Sequence, residues 1–307
     1  MYRRWPLRTL IATCLIIPLV LGTFLLAGCP GPPPAPAFGK PVVVVSIFPL
    51  ADWVRSVAGE AVEVYTILPP GANPHTFEPT PAIAAAASRA SLRLVIGMGL
   101  DDWAQNLSTP HAQTLVLSDG QTTVPMMGDE PGEANGPNPH LWLDPVRAAQ
   151  MLDRILPALE QLAPAQQAQI AQRGKAYQAQ LRALGGELHA AGAPYAGRQI
   201  ITMHNAYDYF LQRCGLPPER VVTPFAGKEA SVQYLESLAL WARQEKVHVI
   251  FSEPVFSPKT AEVLAREIHG QVLLLDDLGN PQVPERDSYV KLLRWDLHQL
   301  LAGLQAQ

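Results

Sequence analysis

Short apolar runs and longer segments of helical period take turns along the first third of the folded part of the chain. Residues 42–48 (VVVVSIF) carry no polar alternation and predict a strand buried on both faces. Residues 62–68 alternate and predict a second strand, and 92–98 (LRLVIGM) and 114–117 (TLVL) predict two more. Helices are predicted between them over 50–58, 81–90 and 102–107. Strands that alternate with helices imply a mostly parallel sheet with helices on both faces.

The pattern returns after residue 194. Strands are predicted at 199–203, 221–224, 247–252 and 271–275. Helices are predicted at 206–214, 231–246, 258–269 and 288–304, with Tyr234, Leu235, Leu238 and Trp241 on one face of the second. Between the two halves lies an Ala/Gln/Leu-rich stretch, 146–193, divided by Pro164. Its second part, 165–191, has strong helix formers and no proline, though Gly185-Gly186 weakens it. At ~1.5 Å per residue it would span roughly 40 Å, enough to cross a domain. The predicted architecture is α/β: two lobes, each a mostly parallel sheet flanked by helices, joined by one long helix that limits hinge motion.

The N-terminus reads differently. Arg3, Arg4 and Arg8 precede an apolar run from Leu10 to Leu26 that Pro18 interrupts and Leu26-Ala27-Gly28-Cys29 ends. A basic start, a short apolar stretch and small residues describe a secretory signal. The run is shorter than the ~20 residues a spanning helix needs. The end of it resembles a bacterial lipobox, in which Cys29 would become the lipidated first residue. Arg3-Arg4 matches a twin-arginine signal only weakly. The following Pro/Ala/Gly stretch suits a semi-rigid tether. The expected organisation is therefore 1–28 signal peptide, 29–40 tether, 41–163 N-terminal lobe, 164–193 connecting helix and 194–307 C-terminal lobe.

A formal net charge of −4 without a basic block argues against nucleic acid as a partner. Of three cysteines, Cys14 leaves with the signal and Cys29 would carry lipid, so Cys214 remains alone. No disulfide framework is expected, and a lone Cys beside Phe210 and Leu211 reads as a small buried hydrophobe.

Four residues stand out as possible metal ligands: His75 in PPGANPHTFEP, His140 in NPHLWLDP, His204 in ITMHNAYDYF and Asp276 in LLLDDLG. Each lies where a predicted strand ends or a loop turns, and more than sixty residues separate each from the next. In open α/β sheets, ligands bind beyond the carboxyl ends of the strands. Two sheets facing each other by those ends would bring all four into the cleft between lobes. Three imidazoles and a carboxylate suit zinc, and manganese remains open. Asp277 is an alternative carboxylate, with Asp276 then a turn or cap residue. His111, His189, His248, His269 and His298 lack this context. An enzyme is not expected: there is no HExxH helix, no GxxxxGK[ST] loop, and Asp276 would fill the position a catalytic zinc leaves open.

The segments PPGANPHTFEPTP, NPHLWLDP, HNAYDYFLQRCGL, FAGKEAS, FSEPVFSPKTAEVLA and LDDLG, in this order from about residue 42 to the C-terminus, resemble one family. It is the cluster 9 (A-I) metal-binding receptors of bacterial ABC importers. The resemblance implies metal held between two lobes by His75, His140, His204 and Asp276. Here Asp277 stands where that family usually has proline, which leaves the carboxylate open. Many zinc receptors of the family carry a His-rich loop before the second ligand. Residues 121–139 hold three acids and no His, so delivery through such a loop is not supported. Glu253, in SEP, also has a counterpart and reads as a supporting residue beside a ligand. A ligating imidazole needs a partner on its other nitrogen, and Asp144 and Glu229 are further candidates.

The expected protein is an exported, lipid-anchored, monomeric receptor facing the periplasm or exterior. It would take one Zn2+ or Mn2+ as transported ligand and deliver it to a transmembrane permease, with the cytoplasmic ATPase indirectly involved. The rivals are a receptor for a chelated metal or small organic solute, a zinc hydrolase, and an adhesin. Ligand protonation predicts that binding weakens as pH falls through the usual His range, near ~6.5.

Overall fold

The computed structural model describes residues 39–126, 136–223 and 230–306. The apolar N-terminal run, Cys29, the tether up to residue 38 and Glu229 lie outside these residues. Among the described residues, no helix is long and apolar enough to cross a membrane.

The first half contains β1 (Val42–Val45), α1 (Phe48–Ala58), β2 (Glu63–Thr66), α2 (Pro81–Ala87), β3 (Leu92–Val95), α3 (Asp102–Gln105) and β4 (Gln113–Val116). Its four strands are all parallel, in the order β2-β1-β3-β4. Val43 pairs with Val64 on one side and Leu92 on the other. The predicted strand 42–48 is cut short because Phe48 and Pro49 open α1. Proline has no N–H to give a sheet and is well tolerated in the first turn of a helix.

Next come α4 (Pro145–Leu162) and α5 (Gln167–Gly192). The second half follows: β5 (Ile201–Thr202), α6 (Asp208–Cys214), β6 (Arg220–Val221), α7 (Val232–Glu245), β7 (Val249–Ser252), α8 (Lys259–Glu267), β8 (Gln271–Leu274) and α9 (Tyr289–Gln305). Its strands are also all parallel, in the order β6-β5-β7-β8. The two sheets thus share one topology. Each reverses direction of strand order between its first and third strands, the place where open α/β sheets leave a crevice.

The 26 residues of α5 span about 39 Å. The helix bonds to the first half near its start: Arg173 donates to the Ala58 carbonyl and Tyr177 to Asp52 of α1. Near its end Glu187 pairs with Arg294 of α9. It runs antiparallel to α4, because Gly174 faces Leu156 while Gly185 faces Val146. A Cβ on Gly185 would lie 2.5 Å from a Val146 methyl. The glycine that weakens the helix in isolation is what allows the two helices to approach.

One apolar cluster runs through both halves. It takes in Val43, Leu94 and Trp53 from the first, Leu152 and Leu181 from the helix pair, and Phe210, Phe251 and Leu300 from the second. Trp53 and Tyr289 meet edge to face, with centroids 5.2 Å apart. Opening the halves widely would expose this shared core at ~25 cal/mol per Å² of apolar surface. Smaller satellite clusters sit against the outer faces of each sheet. Cys214 is buried and free, and Gly192 packs directly on its backbone.

Two glycines of α5 are expected to behave oppositely. At Gly186 a Cβ meets nothing within 4 Å, so Gly186→Ala gains about 0.5–1 kcal/mol from helix propensity. At Gly192 a Cβ would lie 2.1 Å from the Cys214 carbonyl oxygen, so Gly192→Ala loses about 1–3 kcal/mol. Urea midpoints test this; a stabilised Gly192→Ala would contradict the packing.

Candidate metal centre

Three loops at the carboxyl ends of strands carry the imidazoles. His75 lies in the Pro/Gly-rich loop after β2. Gly71 turns that loop with φ near 80°, and the His75 amide donates to Asn73 Oδ1 at 2.9 Å. Trp103 anchors it by donating its indole N–H to the Pro74 carbonyl at 2.7 Å. His140 lies just before α4, in a loop whose backbone amide at 140 donates to Asn138 Oδ1. His204 lies two residues beyond β5, where the Thr202 hydroxyl donates to its carbonyl.

The three side chains converge. The Nε2 atom of His140 lies 3.3 Å from that of His75 and 3.4 Å from that of His204. Ring centroids are 5.1–5.5 Å apart in every pair. His140 and His204 are almost fully buried and His75 is half-buried. The other nitrogens of the two buried rings face acceptors. His140 Nδ1 is 2.8 Å from Asn138 Oδ1, and His204 Nδ1 is 2.9 Å from Glu253 Oε1. These partners leave both Nε2 atoms as lone-pair donors directed at one point.

Electrostatics separate the three rings. Burial pushes His75 down to about 3, with the neighbouring His204 charge adding to the effect. Burial also holds His140 well below the usual imidazole value, helped by His204 and His75. His204 is raised: burial opposes its charge, but the Glu253 carboxylate and its hydrogen bond outweigh that. A proton in the cluster therefore settles on the ring with a carboxylate behind it.

The adjacent acids after β8 have separate environments. Asp276 Oδ1 accepts from the amides of Leu278 and Gly279 at 3.1 and 2.9 Å, and Oδ2 accepts from Arg286 at 2.6 Å. It caps the turn and holds the arginine, and it does not join the grouped ligand atoms. Asp277 falls in a second group that shares only His204 with the imidazole cluster: one of its carboxylate oxygens, one ligand atom of His204 and one Glu253 oxygen all lie within 4.8 Å of one another. Its Oδ1 is buried with no hydrogen-bond partner. Burial and the Glu253 charge push Asp277 up to about 8, against the opposing pull of His204. Its backbone carbonyl accepts from the indole of Trp142, two residues beyond His140.

Of the supporting residues expected from sequence, Glu253 sits behind His204. Asp144 does not reach an imidazole. Its carboxylate caps α4 at the Val146 amide and takes a two-pronged bond from Arg213 at 2.9 and 2.8 Å. Glu229 lies outside the described residues. Sequence reasoning missed Asn138, two residues before His140. The signal was there: an Asn at this spacing folds back on the amide two residues ahead.

Two parallel sheets bridged by a long helix thus carry imidazoles that converge from both halves of the chain. The profile of the ZnuA family (zinc-uptake complex component A, periplasmic) matches residues 43–303, and the chain belongs to that family. The iron-binding protein YfeA of Yersinia pestis is 27% identical over 269 residues, 85% of this chain and 85% of its own length. The manganese ABC transporter substrate-binding lipoprotein PsaA of Streptococcus pneumoniae is 24% identical, over 94% of this chain and 96% of its own. The crystal structure of a ZnuA 138–173 deletion mutant with zinc bound superposes with a TM-score of 0.78, at 28% identity, over 88% of this chain and all of that one.

The metal-free protein is expected to show unequal imidazoles. In a histidine-labelled NMR titration from pH 8 to 5, His75 and His140 stay neutral throughout while His204 is already charged at pH 6.5. Three ordinary titrations near 6.5 would contradict the buried geometry.

Proposed function

We propose that this chain captures one divalent transition metal outside the cell membrane and hands it to the permease of an ABC importer. The ion is cargo, held by the Nε2 atoms of His75, His140 and His204 and by the Asp277 carboxylate. The observation that supports this most is the convergence of three Nε2 atoms in a largely buried site where two of the rings stay uncharged. Uncharged, desolvated imidazoles are ready ligands.

Three nitrogens and one oxygen favour zinc, with manganese as the second candidate. Glu253 orients His204 and raises its basicity. Asp277 is favoured over Asp276 as the carboxylate ligand because Asp276 already accepts from two amides and an arginine. With Asp277 in the fourth position, a tetrahedral ion has no open position for an activated water, which favours a receptor over a hydrolase. Lipidation at Cys29 would keep this monomeric receptor at the membrane beside its permease, with the ATPase reached through that permease. The core shared by the two halves suits small movements on loading rather than wide opening.

Calorimetry on the metal-stripped protein tests the ligand set. One zinc binds, His204→Ala weakens it at least 100-fold, and Asp277→Ala weakens it more than tenfold. Asp276→Ala instead lowers the unfolding midpoint, because Arg286 loses its buried partner. Loss of binding in Asp276→Ala with none in Asp277→Ala would reverse the assignment. Tight manganese with weak zinc would change the cargo.

The pH dependence follows from the two raised groups. The protons on Asp277, near 8, and on His204, above 6.5, must leave when metal enters. Affinity therefore falls as pH drops through the range in which these two groups take up protons. His75 and His140 add nothing until far lower pH. Zinc titrations in buffers of different ionisation enthalpy should show one to two protons released at pH 7; none released would contradict this.

A further inference from the structure

His140 belongs to the first half of the chain, but the groups that decide how its ring is presented belong to the second. Asn138 Oδ1 lies 3.0 Å from the His140 backbone nitrogen and 2.8 Å from its Nδ1. At the other end of the amide, Nδ2 lies 3.2 Å from the Asn205 carbonyl and 3.3 Å from Asp208 Oδ2. Two of these contacts have only one possible sense. A backbone N–H can only donate and a backbone carbonyl can only accept. They fix Asn138 with its oxygen toward His140 and its NH2 toward residues 205–208. An oxygen facing Nδ1 requires Nδ1 to carry the proton, which leaves the lone pair on Nε2, the atom that faces His75 and His204.

We propose that Asn138 is a positioning residue that locks His140 in the Nδ1–H tautomer, and that the 205–208 segment of the opposite half sets this lock by holding the amide. The inference rests on His140 being a metal ligand. Asn138 is fully buried, and Asn205 and Asp208 nearly so, so water does not compete for these bonds. Asn205 Nδ2 also donates to Asp208 Oδ2 at 3.0 Å, which keeps the acceptor in place. Tyr209 OH donates to the Asn138 carbonyl at 2.8 Å and pins the same residue from α6. The arrangement differs from that at His204, whose partner Glu253 is charged and comes from the same half. A neutral amide fixes the ring without drawing a proton to it. If the halves part along this seam, the amide is free to turn, and His140 can then adopt the Nε2–H form, which has no lone pair for a metal.

Nitrogen-15 NMR of the full chain labelled at histidine tests this without metal, with His140→Ala supplying the assignment. Wild-type His140 should show a protonated Nδ1 and a bare Nε2. Asn138→Ala should add an Nε2–H population and weaken zinc binding about 10–100-fold. Asn138→Asp keeps an acceptor at Nδ1 but turns only oxygens toward the Asn205 carbonyl and Asp208, so it should retain the Nδ1–H tautomer and still bind zinc more weakly than wild type. An Nε2–H ring in the wild type overturns the inference even if no variant folds. So does an unchanged tautomer in Asn138→Ala, whatever its affinity. A changed tautomer with unchanged affinity also overturns it; full zinc binding by His140→Ala would then show that the ligand assignment itself had failed.

Discussion

Three imidazole Nε2 atoms meet in one buried place, those of His75 and His204 lying 3.3 and 3.4 Å from that of His140. Little water reaches them, and burial keeps two of the rings neutral. Only His204, backed by Glu253, can hold charge there. The rest of the structure acts as a brace for this crowding. On the proposed ligand set, a cation entering the cluster displaces the proton on His204, so binding would depend on pH through His204 and Asp277 rather than through all three rings.

The brace is built from apolar packing and a polar seam. The main core is continuous across both sheets, and α5 bonds to α1 near one end and α9 near the other. The seam ties the loop bearing His140 to the opposite half: Asn138 to residues 205–208, Trp142 to the Asp277 carbonyl, and Asp144 to Arg213. By contrast, the loop bearing His75 is held by its own residues and by Trp103. Within the described residues, His140 is thus mechanically allied with His204 and Asp277, although it precedes the connecting helix in the chain.

Much of this was legible from residue patterns because periodicity and strand-end chemistry are local. The alternation of apolar runs and helical segments marked both parallel sheets, and the position of His204 directly after a strand placed it at a carboxyl edge. Element ends were less legible. Pro49 in its first turn makes α1 start at Phe48 instead of extending β1, and tertiary packing decides that Gly185 supports α5 by admitting Val146. The different surroundings of Asp276 and Asp277 were closed to sequence reading, since adjacent acids differ only in which way the turn directs them: Asp276 meets two amides and Arg286, and Asp277 lies beside His204 and Glu253. Asp144 looked like a supporting residue, yet its place at the head of α4 makes it a cap and an ion-pair partner. The supporting role beside His140 falls to Asn138, an uncharged residue that a search for titratable groups passes over.

The central claim is that one ion sits among His75, His140, His204 and Asp277. A crystal of the zinc-loaded protein, with anomalous data at the zinc edge, tests it most directly. The account predicts a single anomalous peak about 2.0–2.1 Å from three Nε2 atoms and a similar distance from one Asp277 oxygen, with Asp276 still bonded to Arg286. A peak coordinated by Asp276, or one lying away from the three imidazoles, would contradict it.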